Sequence, residues 1–170
     1  MLRRELIWAM GAFALAGCAS RPQIPVGPDG LPLPTVYQIT EQDTREIPFR
    51  MLESVNVLRQ AAGAQPVQLD PLLNAAAATH SRDMSIQNRP WHFGSDGSSP
   101  IDRLARVGYT GTLIGEVISE TYETETETLS AWMQDPNTRA VILNPAASRM
   151  GLAWLQEPAG KIWWTMVLAS

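Results

Sequence analysis

The chemistry available to this chain gathers between Trp91 and Pro100, where WHFGSDGSSP sets one of only two histidines, His92, beside an acid and three serines. Gly94, Gly97 and Pro100 exclude continuous helix or strand there, so the stretch reads as a loop, and loops held by a rigid scaffold are where binding and catalysis concentrate. An imidazole near neutral pH can accept a proton, orient a hydroxyl or bind a metal. A polar surface turn with an incidental histidine fits the same composition. The elements around it must decide.

Those elements are legible as periodic runs. Met51, Leu52, Val55, Leu58 and Ala62 fall at helical spacing and predict a helix from about Pro48 to Ala62, stopped by Gly63. After a short link at Gln65 to Leu69, a second helix is expected from Asp70 or Pro71 to about Asn88, with Asp70 as N-cap and Pro71 at its first position. Its apolar stripe is Leu72, Leu73, Ala76, Ala77, His80 and Met84, which makes His80 a satisfied core histidine rather than a ligand. Ser99-Pro100 opens a short helix to about Val107, closed by Gly108. Leu113 to Ser119 reads as a strand carrying Gly115-Glu116. Tyr122 to Gln134 returns to helix, with Thr124 and Glu127 at capping-box spacing and Leu129, Trp132 and Met133 on its buried side. A helical turn at Thr138 to Leu143 and two strands, Arg149 to Leu155 and Lys161 to Leu168, complete an α+β order of layered α/β/α type.

The N-terminal segment carries a separate signal. Arg3 and Arg4 precede a 12-residue apolar run, Leu6 to Gly17, too short to span a bilayer and typical of a secretory leader over residues 1–17. The run ends in Leu15-Ala16-Gly17-Cys18, which resembles the bacterial lipobox, and Cys18 is the sole cysteine of the chain. It is therefore the expected lipidation site and tie to a membrane. Ala19 follows it where an aspartate would signal retention in the inner membrane, so in a Gram-negative cell the outer membrane, periplasmic side, is the expected address. Residues 18–46, with Pro22, Pro25, Pro28, Pro32 and Pro34, read as a tether ahead of a domain at 47–170, although Val36 to Ile39 could pack on that domain. The net charge of -4, with no basic cluster, argues against nucleic acid as a partner.

Taken in order, Asn56 with Arg59, Leu69-Asp70-Pro71-Leu72-Leu73, Ala76 to Met84, His92, Asp96-Gly97-Ser98-Ser99-Pro100, Gly108-Tyr109, Gly115-Glu116, Trp132-Met133, Arg139, Ile142-Leu143-Asn144-Pro145, Met150-Gly151 and Trp164-Thr165 resemble the CAP superfamily in its small bacterial, SCP-like branch. The resemblance implies a three-layer α/β/α sandwich with a groove lined by two histidines and two acids able to hold a divalent metal. His92 matches the first family histidine, and Glu116 the acid of the Gly-Glu-Asn motif, with Val117 in place of the Asn. Thr138 stands where the second histidine belongs, and Asp135 is the nearest counterpart of the remaining acid. The expected groove is therefore His92, Glu116, Asp135 and Thr138, a carboxylate-rich set with one imidazole. That set implies no resident cofactor and at most weak zinc at His92 and Glu116.

Three function classes follow. One is a lipid-anchored envelope domain that binds a lipid, a peptide or a cell-wall fragment in the groove. Another is a non-catalytic structural or partner-binding module. The third is a hydrolase with His92 as base, Glu116 as orienter and Ser95 or Ser98 as nucleophile. No nucleophile-elbow signature supports the hydrolase, so catalysis is not the leading expectation.

Overall fold

The structure, a computed structural model, describes residues 36–170 together with Pro28 and Leu31. The expected leader, Cys18, Ala19 and most of the expected tether lie outside the described residues. Residues Val36–Ser170 form one compact unit.

The first helix, α1 (Glu41–Ala61), begins seven residues earlier than the apolar spacing suggests. Thr40 caps it: its hydroxyl accepts from the Asp43 N–H at 3.1 Å while the Asp43 carboxylate accepts from the Thr40 N–H at 3.1 Å. This capping box overrides Pro48, which sits inside α1 and does not start it. Residues 41–46, expected as the end of the tether, therefore already belong to α1. Tyr37 and Ile39 join the fold too, because the Gln156 side chain donates to Tyr37 O at 2.7 Å and accepts from Ile39 N at 2.9 Å.

The remaining elements follow the expected order. They are β1 (Gln68–Leu69), α2 (Pro71–Gln87), α3 (Pro100–Arg106), β2 (Leu113–Glu120), α4 (Glu125–Gln134), α5 (Pro136–Ile142), β3 (Arg149–Gln156) and β4 (Ile162–Ala169). The sheet order is β1-β3-β4-β2, with β1 parallel to β3 and the other pairs antiparallel. β4 is buried along its whole length, as a central strand covered on both faces must be.

Strand alternation assigns each face its own layer. Val117, Leu152, Trp164, Met166 and Leu168 pack with Ile47, Met51 and Val55 of α1, Leu129 and Trp132 of α4, and Ile142 of α5. On the opposite face, Ala153, Val167 and Ala169 pack with Leu73, Ala76 and Ala77 of α2 and Leu104 of α3. This is the expected α/β/α sandwich. Helix α2 lies so close to the sheet that a Cβ on Gly151 would stand 2.3 Å from the Leu73 main chain. Its stripe differs from expectation in one place: Leu72 is exposed, and Ser81 takes the inward position, donating to Thr165 Oγ1 at 2.9 Å.

Candidate functional site

Glu116 lies on β2 opposite Val167, so its side chain points to the α2/α3 face of the sheet. A carboxylate buried there needs several donors, and three side chains supply them or lie at hand. His92 Nδ1 stands 2.9 Å from Glu116 Oε1, Arg103 Nη2 donates to Oε1 at 2.9 Å and Oε2 at 2.8 Å, and His80 Nε2 lies 3.5 Å from Oε1. Burial alone would raise the Glu116 pKa. The His92 hydrogen bond, the neighbouring His80 ring and the Arg103 guanidinium together outweigh it and hold the carboxyl below its ordinary range.

Each partner is positioned by a local rule. His80 sits on the buried stripe of α2 and is fully enclosed. Arg103 lies on α3, which starts with a capping box between Ser99 and Asp102 and has Pro100 at its first position. It faces inward with Leu104. Its guanidinium also gathers the loop, donating to His92 O at 3.2 Å and Ser98 O at 3.1 Å. Gly94 is required at its position: a Cβ there would stand 2.5 Å from Ser98 Oγ and 2.7 Å from both Asp83 Oδ2 and Asp96 Oδ1. Gln87 fixes the near end of the loop, accepting from Trp91 Nε1 at 2.7 Å and donating to Phe93 O at 3.1 Å.

The result is a graded site. The Glu116 side chain is 2% exposed and that of His92 is 48% exposed. Because a carboxylate faces Nδ1, Nδ1 carries a hydrogen and donates it to Glu116, which leaves Nε2 as the ring's other polar atom. Its chain neighbours Trp91 and Phe93 pack on each other with ring centroids 5.5 Å apart, and Arg89 lies 4.0 Å over the Trp91 ring.

The structure brings His92 and Glu116 together but does not bring Asp135 and Thr138 to them. Asp135 caps α5, accepting from Asn137 N at 2.8 Å. Thr138 turns its hydroxyl to the carbonyls of Trp132 and Asp135. Helix α5 packs on the other face of the sheet, where Val141 lies against Gly115. Of the expected set only His92 and Glu116 meet, and the side chains that join them around the Glu116 carboxylate are His80 and Arg103. Both go beyond the sequence reading. His80, expected as a core histidine, is indeed buried, and there it stands with Nε2 3.5 Å from Glu116 Oε1 and with the Trp91 main chain beside its ring. Arg103 carries no motif that marks it, although it shares the inward spacing of Pro100, Leu104 and Val107 on α3.

This set does not fit a divalent cation. The Arg103 guanidinium donates to both Glu116 oxygens, placing a fixed positive charge where the metal's carboxylate ligand would be needed. No group of three metal-ligating side chains occurs among the described residues. Ser95 and Ser98 turn their main-chain N–H groups to carboxylates, Ser95 N donating to Asp83 Oδ2 at 2.7 Å and Ser98 N to Asp96 Oδ1 at 2.9 Å, and no serine hydroxyl bonds to His92 among the described residues.

Burial holds the His80 imidazole below its ordinary range, with Arg103 adding to the effect and Glu116 only partly opposing it. The unfolded chain then binds a proton near pH 6.5 that folded His80 refuses. The stability this histidine contributes is full above pH 6.5 and is lost as pH falls through and below that value, by at most about 1.4 kcal/mol per pH unit. In urea denaturation between pH 7.5 and 5, His80→Gln is expected to flatten this decline. An unchanged slope would place the titrating group elsewhere.

The comparisons with known proteins agree with this fold. The family model described as "Cysteine-rich secretory protein family" (CAP) matches residues 52–168, more than two thirds of the chain. YkwD of Bacillus subtilis (strain 168), an uncharacterized protein, is 32% identical over 114 residues, which cover 67% of this chain and 44% of that one. The chain thus spans less than half the length of that relative. Among solved structures, an outer surface protein from Borrelia burgdorferi superposes with a TM-score of 0.69 at 16% identity, covering 75% of this chain and 95% of that one. An extracellular protein containing an SCP domain from Bacillus anthracis gives a TM-score of 0.67 at 20% identity, covering 86% of this chain and 45% of that one. Sandwich, loop and family model coincide over the same residues, and the chain belongs to the cysteine-rich secretory protein (CAP) family.

Proposed function

We propose that this chain is a lipid-anchored protein of the cell envelope whose CAP domain binds an envelope component, such as a lipid, a peptide or a cell-wall fragment, at the His92 surface. The observation that carries the reading is the half-exposed imidazole of His92, held at Nδ1 by a buried Glu116–Arg103 pair. A polar group fixed in this way, beside Trp91 and Phe93, gives a ligand both a directional hydrogen bond and apolar area at little ordering cost. The anchoring part rests on the Leu15-Ala16-Gly17-Cys18 run. The outer-surface and extracellular relatives support an address outside the cytoplasm.

Two measurements test it. Muropeptide, phosphatidylglycerol micelles and a neutral peptide are titrated separately into the chain while the His92 and Trp91 ring signals are followed by NMR. One of them is expected to shift both rings, and His92→Ala to weaken that response at least tenfold. Silence from all three probes overturns the site. For the anchor, Cys18→Ala is expected to move the protein from the membrane to the soluble fraction, since each buried acyl CH2 contributes about 0.8 kcal/mol. A Cys18→Ala protein that stays in the membrane pellet removes the anchor reading.

A second reading draws on the same dyad. With Glu116 as orienter, His92 Nε2 is placed to take a proton from water, the arrangement of a general base. Cleavage of the bound probe that disappears in His92→Ala favours it.

A further inference from the structure

Among the described residues the sheet has an open edge on β3, on the opposite side of β4 from the β2 strand that carries Glu116. Odd-numbered residues of β3 pair with β4 through their main chain, as the register Gly151 with Val167, Ala153 with Thr165 and Leu155 with Trp163 requires. The even-numbered residues therefore turn their N–H and C=O groups away from β4. At one end β1 covers this edge, with Asp70 N donating to Met150 O at 2.9 Å, and the Asn74 side chain accepts from Leu152 N at 2.8 Å. Beyond that point Leu152 O, Trp154 N and Trp154 O have no partner among the described residues. The open stretch, Gly151 to Leu155, is about 13 Å long at the usual strand rise.

This edge carries none of the usual protection. Gly-Leu-Ala-Trp-Leu has no charge, no proline and no bulge. Its shielding is steric instead: α1 packs on one face of the sheet and α2 on the other, and between them runs a groove of about 310 Å3 lined by Thr44, Pro48, Asn74, Ala78, Leu152 and Trp154. Pro48 has no N–H, so the Thr44 carbonyl also lacks its helical donor on this lining. A groove between two helices excludes the broad edge of a second sheet but admits a single extended chain. The alternation of free carbonyl, N–H and carbonyl calls for a peptide backbone, because only a backbone offers the complementary row at strand spacing. The lining holds no charged residue, so the occupant is uncharged over the segment it inserts.

We infer that the β3 edge is a docking site for an extended, uncharged peptide segment of a partner protein, which adds a strand beside Leu152–Trp154. The test uses the full chain and acetyl-Val-Thr-Val-Thr-Val-amide, with amide hydrogen exchange read residue by residue. Saturating peptide is expected to slow exchange of the Trp154 amide at least tenfold and leave the Ala153 and Thr165 amides unchanged. The same peptide N-methylated at alternate positions, which keeps its side chains but loses the ladder donors, is expected to give no protection. Ala78→Lys, which places a long side chain in the groove, is expected to weaken binding of the unmodified peptide at least tenfold. Three results overturn the inference: equal protection by both peptides, no protection by either, or Trp154 protection that rises with protein concentration alone and so assigns the edge to a second copy.

Discussion

Replacement of Arg59 by leucine is expected to destabilise the domain by on the order of 5 kcal/mol. Arg59 is fully buried on α1, and no carboxylate pairs with it among the described residues. Its guanidinium donates to four carbonyls instead: Nε to Gln65 O at 2.8 Å, Nη1 to Ile142 O at 2.7 Å and Asn144 O at 3.0 Å, and Nη2 to Ala147 O at 2.9 Å. These lie in the turn after α1, at the last residue of α5 and in the chain that leads from it to β3, so one side chain ties two connections to the same helix. Burial lowers the Arg59 pKa, the signature of a charge kept out of water. Exchanging a whole buried ion pair for apolar groups is often harmless because both charges leave together. Here the four acceptors remain after the substitution, and each carbonyl left without a donor costs about 1–3 kcal/mol. Arg59→Lys retains the charge but loses the planar fork, so it is expected to recover only part of the loss. Urea denaturation of the three proteins decides the matter; a loss below about 1 kcal/mol for Arg59→Leu would mean that water already satisfies these carbonyls.

Arg59 also shows what the sequence can and cannot say. The residue continues the four-residue stripe Ile47, Met51, Val55, which is enough to place it inward. Nothing in that stripe names its acceptors, which are 83 to 88 residues away along the chain for three of the four bonds. The starts of α2 and α3 are legible because their signals are local, Asp70 and Ser99, whereas α4 begins at Glu125 behind Thr124, three residues after the expected Tyr122, and α5 begins at Pro136, two before the expected Thr138. The start of α1 is obscured for an equally local reason. Pro48 imitates a helix start, and the Thr40–Asp43 capping box lies inside a stretch whose prolines dominate its composition.

The site divides along the same line. His92 and Glu116 each match a family motif, and they meet at 2.9 Å. Thr138 and Asp135 rest on spacing to Ile142-Leu143-Asn144-Pro145 and to Trp132, which fixes position along the chain but not the face of the sheet. Face is set by strand parity: Gly115 lies against α5 while Glu116, one residue on, turns to α2 and α3. The partners of Glu116 then have to come from the α2/α3 layer, and His80 and Arg103 are the residues there with the right chemistry.

That arrangement makes the Arg103–Glu116 pair the most sensitive point of the site. Arg103→Met is expected to cost about 3–5 kcal/mol at pH 7, the usual loss when one member of a buried pair is removed and the other charge stays. Both side chains are at most 3% exposed, so solvent offers Glu116 little compensation. The sign of the pH dependence distinguishes this cause from a packing defect. In the wild type the Glu116 pKa is lowered, so its contribution is present above the ordinary carboxylate range and is lost as pH falls through the folded-state value. Without Arg103 burial prevails and the folded-state pKa rises above the unfolded one. The contribution then persists at low pH and is lost as pH rises. The gap between the two proteins is therefore expected to narrow on acidification towards pH 4, whereas a cavity would cost the same at both values. A double-mutant cycle supplies the second criterion. Arg103→Met combined with Glu116→Gln removes both charges, and it is expected to be more stable than Arg103→Met alone by about 2 kcal/mol or more. Additive losses in the cycle, together with a pH-independent gap, would show that Arg103 holds the loop through the His92 and Ser98 carbonyls and not through its charge on Glu116.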